Sequence, residues 1–247
     1  MVASELNSRA PWASTLATLG ASIMTVILLG CGGGGGSSTN SQVINQSCGA
    51  DSYLPNYVGD VATNSGQLLR WSAFPVSVAY YTPETWSPEM KVATDAALAS
   101  WNSTSGGKIN FVVTTDTTTA DITIKWELTE TLGGSTVGLT TLSFSSTTIK
   151  DADIRVAAYG APFVQRSLSD LTEIVTHEMG HALGIGGHSS TKTDLMYPYI
   201  NPASPDSPNG RDWNTLRTAY CDDFRARSRG VLSGPLQTVT FACPLGE

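Results

Sequence analysis

From Gln67 onward the hydrophobic positions follow two rhythms. FPVSVAYY (74–81) sets Val76, Val78 and Tyr80 against Ser77 and Ala79, the period of a half-buried strand. Ser87, Pro88 and Glu89 compose a helix start, opening a run with Met90, Ala93, Ala97 and Trp101 on one face, closed by STSGG. INFVVTT (109–115) and DITIKWEL (121–128) predict further strands, the second alternating Ile122, Ile124 and Trp126 with Thr123 and Lys125. The Thr-, Ser- and Gly-rich stretch 136–148 predicts a twisted or edge strand with a loop, and ADIRVAA (152–158) alternates Ile154 and Val156 with Asp153 and Arg155. A capping box of Asp170 and Glu173 predicts a helix through Leu171, Ile174 and Val175. That helix ends at Gly184, which accepts the left-handed conformation of a helix terminus. A proline-rich loop (198–208) precedes a last helix, RDWNTLRTAY (211–220). The order predicts an α+β domain with one connected sheet.

Composition narrows the class. Hydrophobic residues make up 40% and charged residues 14% of the 247 positions, which suits a folded domain and not a disordered chain. A formal charge of −7 opposes the attraction to phosphate backbones on which nucleic-acid binders depend, so no nucleic-acid partner is expected. Between Arg9 and Asp51 there is no charge, and LATLGASIMTVILLG (16–30) is shorter than the ~20 residues a spanning helix needs, which suits a signal-peptide core. Leu28, Leu29, Gly30 and Cys31 resemble the lipobox of bacterial lipoproteins, which implies cleavage before Cys31 and a lipid on it; the alternative is a plain secretory signal. GGGGGSSTNSQ follows as a flexible tether. The expected organisation is a signal peptide over 1–30, a lipidated cysteine, tether and N-terminal segment over 31–66, and one main domain over 67–247. The mature protein is then extracytoplasmic, membrane-anchored or secreted, where disulfides persist.

All three histidines fall within HEMGHALGIGGHSS (177–190). His177 and His181, four apart on a helix, project to one side, where both can reach a Zn2+ ion at the ~2.0–2.1 Å that zinc–nitrogen bonds require. Glu178 stands beside them, in the place of the general base of H-E-x-x-H enzymes. A catalytic site needs a third ligand, and Gly184 lets the chain turn back to deliver His188, with Met196 further on in TDLMYPY. Downstream of His181 the only glutamate is Glu247, so a later glutamate ligand has almost nothing to use; Asp194 is the other possible third ligand.

These residues resemble the metzincin metallopeptidases, with their H-E-x-x-H-x-x-G-x-x-H signature and methionine turn. The LMYP form of the turn, FPVSVAYY and RDWNTLRTAY are most similar to matrixin-type domains, particularly bacterial relatives, over about Gln67 to Tyr220. That resemblance implies a mixed, mostly parallel twisted sheet, an active-site helix and a C-terminal helix. It implies one catalytic zinc held by His177, His181 and His188, Glu178 as general base, and Met196 as a floor under the histidines. It further implies a protein or peptide substrate laid along an edge strand, for which STVGLTTLSF (135–144) is the candidate, with residues 197–202 lining the adjoining pocket. The family spacing puts the third histidine at 187, which is Gly187 here; a glycine-rich turn can absorb one extra residue. Calcium is possible, although no loop specifies it.

Cys48, in SCGAD, is either a thiol that blocks the zinc or a disulfide partner of Cys221 or Cys243; Cys221 with Cys243 is the preferred pair, stapling the tail after the last helix. The expected function is a zinc endopeptidase acting as a monomer, against a non-catalytic zinc-binding adhesion module derived from a peptidase.

Overall fold

The computed structural model describes residues 24–25, 48–64, 66–81, 87–128, 132–160, 164–200, 204–224 and 234–245. Cys31 and most of the expected signal peptide and tether lie outside the described residues. The strands are β1 (Met24–Thr25), β2 (Val76–Tyr81), β3 (Phe111–Thr114), β4 (Ile122–Leu128), β5 (Thr136–Ser145), β6 (Thr148–Gly160), β7 (Val164–Gln165) and β8 (Gln237–Pro244). The helices are α1 (Val58–Thr63), α2 (Pro88–Thr104), α3 (Leu168–Leu183) and α4 (Gly210–Tyr220). One sheet runs β1-β8-β5-β6-β4-β2-β3, with β7 paired to β6. The β2–β3, β2–β4, β4–β6 and β1–β8 pairs are parallel, and β5 runs antiparallel to both β6 and β8. The architecture is the expected α+β arrangement with a mixed, mostly parallel sheet. Among the described residues no helix is long and apolar enough to cross a membrane.

The expected one-sided burial holds for α2, where Met90, Ala93, Ala97 and Trp101 are buried with Thr94 and Leu98. The Trp101 indole reaches across to α3 and donates to the Thr176 carbonyl at 3.0 Å. From Glu173 to Leu183 every residue of α3 is buried, so it is a core helix rather than a surface one. Trp71 Nε1 donates to Ala182 O at 2.9 Å and the Tyr220 hydroxyl to Leu183 O at 2.7 Å, giving two carbonyls at the end of α3 the partners that the helix cannot supply.

Four expectations change. The cap of α3 lies three residues earlier than Asp170: Ser167 Oγ accepts from the Asp170 amide at 3.1 Å, so Ser-x-x-Asp is the signal. Residues 136–148 are no edge strand with a loop, because β5 turns at Ser146 and Thr147 into β6 and has a strand on each side. β8 was not expected at all, although Val239, Phe241 and Cys243 are buried and alternate with Thr238, Thr240 and Ala242 as a strand requires. The core also begins before position 67: Tyr57, Val58 and Val61 are buried, and the Tyr57 amide donates to Thr215 Oγ1 at 3.0 Å.

Candidate metal centre

The site starts from one turn of α3. His177, Glu178 and His181 are all 0% exposed, and buried polar side chains need partners. His177 Nδ1 lies 2.8 Å from Leu195 O and His181 Nδ1 2.7 Å from Ile185 O. A carbonyl only accepts, so each Nδ1 carries the proton and each Nε2 keeps its lone pair, the tautomer a metal ligand needs. His181 Nε2 lies 3.3 Å from His188 Nε2, and ligand nitrogens of all three histidines lie within 4.8 Å of one another. His177 Nε2 and Glu178 Oε1 are buried without a hydrogen-bond partner, as expected of groups that serve a cation and a reacting proton. The donor set therefore fits a zinc ion.

His188 arrives despite its displaced spacing because the turn is held from outside. Gly184 has φ 124°, and a Cβ there would stand 2.1 Å from Leu69 O, so only glycine fits. The segment before β2 pairs with the turn: the Leu69 amide donates to Gly184 O at 2.8 Å and the Gly186 amide to Gln67 O at 3.0 Å. Asn64 Nδ2 donates to His188 O at 2.9 Å, while Asp60 Oδ2 accepts from the Ser190 amide at 3.1 Å and its hydroxyl at 2.8 Å. The extra residue sits inside a turn clamped on two sides, so His188 still faces His181.

Beneath the histidines lies Met196, fully buried; a Cβ on Gly180 would come within 2.3 Å of its sulfur. The loop that carries it hangs from Asp212 at the start of α4. Asp212 accepts from the Tyr57 hydroxyl at 2.8 Å and from the amides of Leu195, Met196 and Asn209 at 3.1, 3.3 and 2.9 Å. Burial still pushes its carboxyl above the usual range. Asp212→Ala leaves those donors buried without an acceptor and should cost about 3 kcal/mol in urea unfolding; a loss below about 1 kcal/mol would remove Asp212 as the anchor of this loop. Asp194, the other possible ligand, is committed elsewhere, to Arg211 Nη1 at 3.0 Å, Ser189 Oγ at 2.5 Å and Asn209 Nδ2 at 2.9 Å.

Burial sets the electrostatics. It lowers His177 to about 4 and His188 to about 3, and holds His181 well below its ordinary value, with His188 and His177 adding to the effect. It raises Glu178 to about 8, against the lowering effect of Thr140, whose hydroxyl donates to Oε2 at 2.5 Å. Without an ion the site is therefore neutral, three free imidazoles and a carboxylic acid.

The cysteines part from expectation. Cys48 donates to Thr218 O at 3.0 Å and hydrogen-bonds with Cys221, whose thiol burial pushes up to about 12. Cys243 is 0% exposed, with its sulfur within 4.8 Å of a His177 nitrogen and a Glu178 oxygen. None of the three is in a disulfide, so the expected Cys221–Cys243 bridge is not made: the two lie against different partners. Among the described residues, the two clusters able to share a metal ion both contain His177, and neither is the all-oxygen set calcium takes.

A family model for matrixin peptidases matches residues 71–220. The chain belongs to the matrixin family. It is also 35% identical to the Metalloendoproteinase 4-MMP of Arabidopsis thaliana over an alignment covering 30% of this chain and 28% of that protein. The chain thus spans under a third of the length of that relative. The matrixin family is one of zinc-dependent metalloendopeptidases, and the three histidines of this chain could bind a metal ion.

Sequence reasoning missed Thr140 and Asp212, and read Cys243 only as a disulfide partner. Asn209 and Asp212 form a complete capping box, so Asn-x-x-Asp before the last helix was a readable signal for Asp212. Thr140 and Cys243 had none, because strand pairing brings them to α3.

Proposed function

We propose that this matrixin is an endopeptidase of extracytoplasmic proteins, with zinc held by His177, His181 and His188 and Glu178 as its general base. The observation that carries the reading is the meeting of three imidazoles, two with Nδ1 tied to carbonyls, beside an unpartnered carboxylate oxygen. When bound, the ion supplies Lewis acidity, polarising a peptide carbonyl and making a water molecule acidic enough to lose a proton near neutral pH. Glu178 does the proton work: Thr140 holds Oε2, so Oε1 takes the proton from the attacking water and returns it to the leaving amine. Leu195 and Ile185 hold the imidazole planes, and Met196 fills the space below them. The lipobox-like sequence ending at Cys31 supports attachment to a bacterial membrane, with substrates among proteins outside the cytoplasm. β1 lies in the segment that such processing would remove.

The test is hydrolysis of an unfolded protein by the zinc-loaded chain. One zinc per chain, cleavage abolished by a chelator and restored by zinc, and loss of the metal in His181→Ala are the expected results. Bound zinc with no cleavage of any unfolded substrate would leave the non-catalytic module as the better reading.

A further inference from the structure

β8 lies beyond Tyr220, where the matrixin match ends, and it sits on the site. The Phe241 ring stacks on His181 at 4.6 Å and 14°, and Cys243 reaches His177 and Glu178. On one side β8 pairs antiparallel with β5 from Gln237 opposite Phe144 to Pro244 opposite Thr136. On the other side, the Ile200 amide donates to Pro244 O at 3.2 Å, while beyond the strand the Leu245 amide donates to Ser135 O at 3.0 Å. β8 therefore fills a slot with a backbone wall on each side. One wall is β5, which touches Glu178 through Thr140 and through Gly138, where a Cβ would come within 2.1 Å of Oε1. The other is made by β1, which pairs with Gln237 and Thr238, and by the chain just after Met196, which meets the strand at Pro244. An extended peptide would enter such a slot by strand addition. With β8 present, His177, Glu178 and His181 have no exposed surface, and no peptide carbonyl can reach them.

We propose that β8 is an intramolecular occupant of the substrate groove, that the Cys243 thiol is a fourth donor to the ion held by the three histidines, and that the chain cleaves protein only while β8 is detached from β5. The inference rests on the zinc-peptidase reading above. Three histidines leave a tetrahedral zinc one position, and thiolate is among its preferred ligands. The Cys243 thiol lies within 4.8 Å of a His177 nitrogen and a Glu178 oxygen while donating to Pro198 O at 3.4 Å, and Nε2 of His177 and Oε1 of Glu178 are buried without a hydrogen-bond partner. Detachment exposes Glu178 and withdraws the competing sulfur together, so one motion opens the groove and frees the ion. If β8 is detached in ~1% of molecules, apparent activity is about 100-fold below that of the open form.

The test uses the full chain loaded with Co2+, its Cys243→Ser variant, and the double variant T141C/T240C. Thr141 and Thr240 are cross-strand partners with hydroxyl oxygens 3.0 Å apart, so a disulfide there pins β8 to β5. The expected wild-type spectrum carries thiolate-to-cobalt charge-transfer absorption, which Cys243→Ser loses at unchanged cobalt content. Oxidised T141C/T240C should hydrolyse an unfolded protein at least ~10-fold more slowly than the same protein reduced with a phosphine, which should leave the wild type unchanged. One cobalt per chain without thiolate absorption overturns the ligand, and equal rates in the oxidised and reduced double variant overturn the gating. Metal content separates these failures from that of the peptidase reading: a chain that binds no cobalt ends both. Bound cobalt with thiolate absorption but no cleavage even by Cys243→Ser and the reduced double variant ends the peptidase and the gate, and leaves the ligand standing.

Discussion

Glu178→Ala should lower kcat by about 10²- to 10⁴-fold while zinc content and KM stay near the wild-type values, the mark of a proton-transfer group lost from the transition state alone. The geometry explains why no neighbour takes over. Oε1 is the unpartnered buried oxygen of the pair, and the Thr140 hydroxyl that holds Oε2 is already engaged as a donor. Burial alone keeps Glu178 protonated to about pH 8, which would make it a poor base at neutral pH. The charge of a bound cation favours the carboxylate and brings the group back into its working range. Glu178→Gln, which keeps the shape and the contact with Gly138, should lose as much as the alanine variant. Activity within about tenfold of wild type in either variant, at equal zinc content, would place the base elsewhere.

The parts legible in the sequence are those whose signals are local. The face of α2, the start and end of β4 and the turn of α3 that carries His177, Glu178 and His181 follow from periodicity over a few residues. What failed was non-local. STVGLTTLSF was expected at an edge because its composition is that of an exposed strand, yet β8, about a hundred residues later, closes that edge. The same pairing carries Cys243 to the histidines, a meeting no spacing rule encodes. His188 shows the converse: judged by spacing it stands one residue out of place, and contacts from Gln67, Leu69, Asp60 and Asn64 hold its turn in position.

Stripped of metal, the protein should be most stable near pH 6.5, losing several kcal/mol toward pH 4 and about 2 kcal/mol toward pH 8. Unfolded histidines titrate near 6.5, whereas folded His177 titrates at about 4, so below pH 6.5 the unfolded chain takes up a proton that the folded chain refuses. Its share of stability is complete above 6.5 and falls away as the pH drops toward 4, by about 3 kcal/mol. His181 and His188 act in the same direction. Glu178 acts in the opposite direction, because the folded chain keeps its proton up to about pH 8 while the unfolded carboxyl releases it near 4.5. Stability from that group declines as the pH rises through this window, by about 5 kcal/mol in all. Between 4.5 and 6.5 three histidines outweigh one glutamate and stability climbs; above 6.5 only the glutamate still titrates and stability declines. Zinc should change the shape as well as the height of the curve. Binding to the folded chain alone adds stability, and the ion's charge favours ionised Glu178, which removes the decline toward pH 8. Urea unfolding from pH 4 to 8.5, with and without zinc, reads this directly. A metal-free profile that is flat across this range would mean that the histidines and Glu178 are hydrated, and that β8 does not keep water from them.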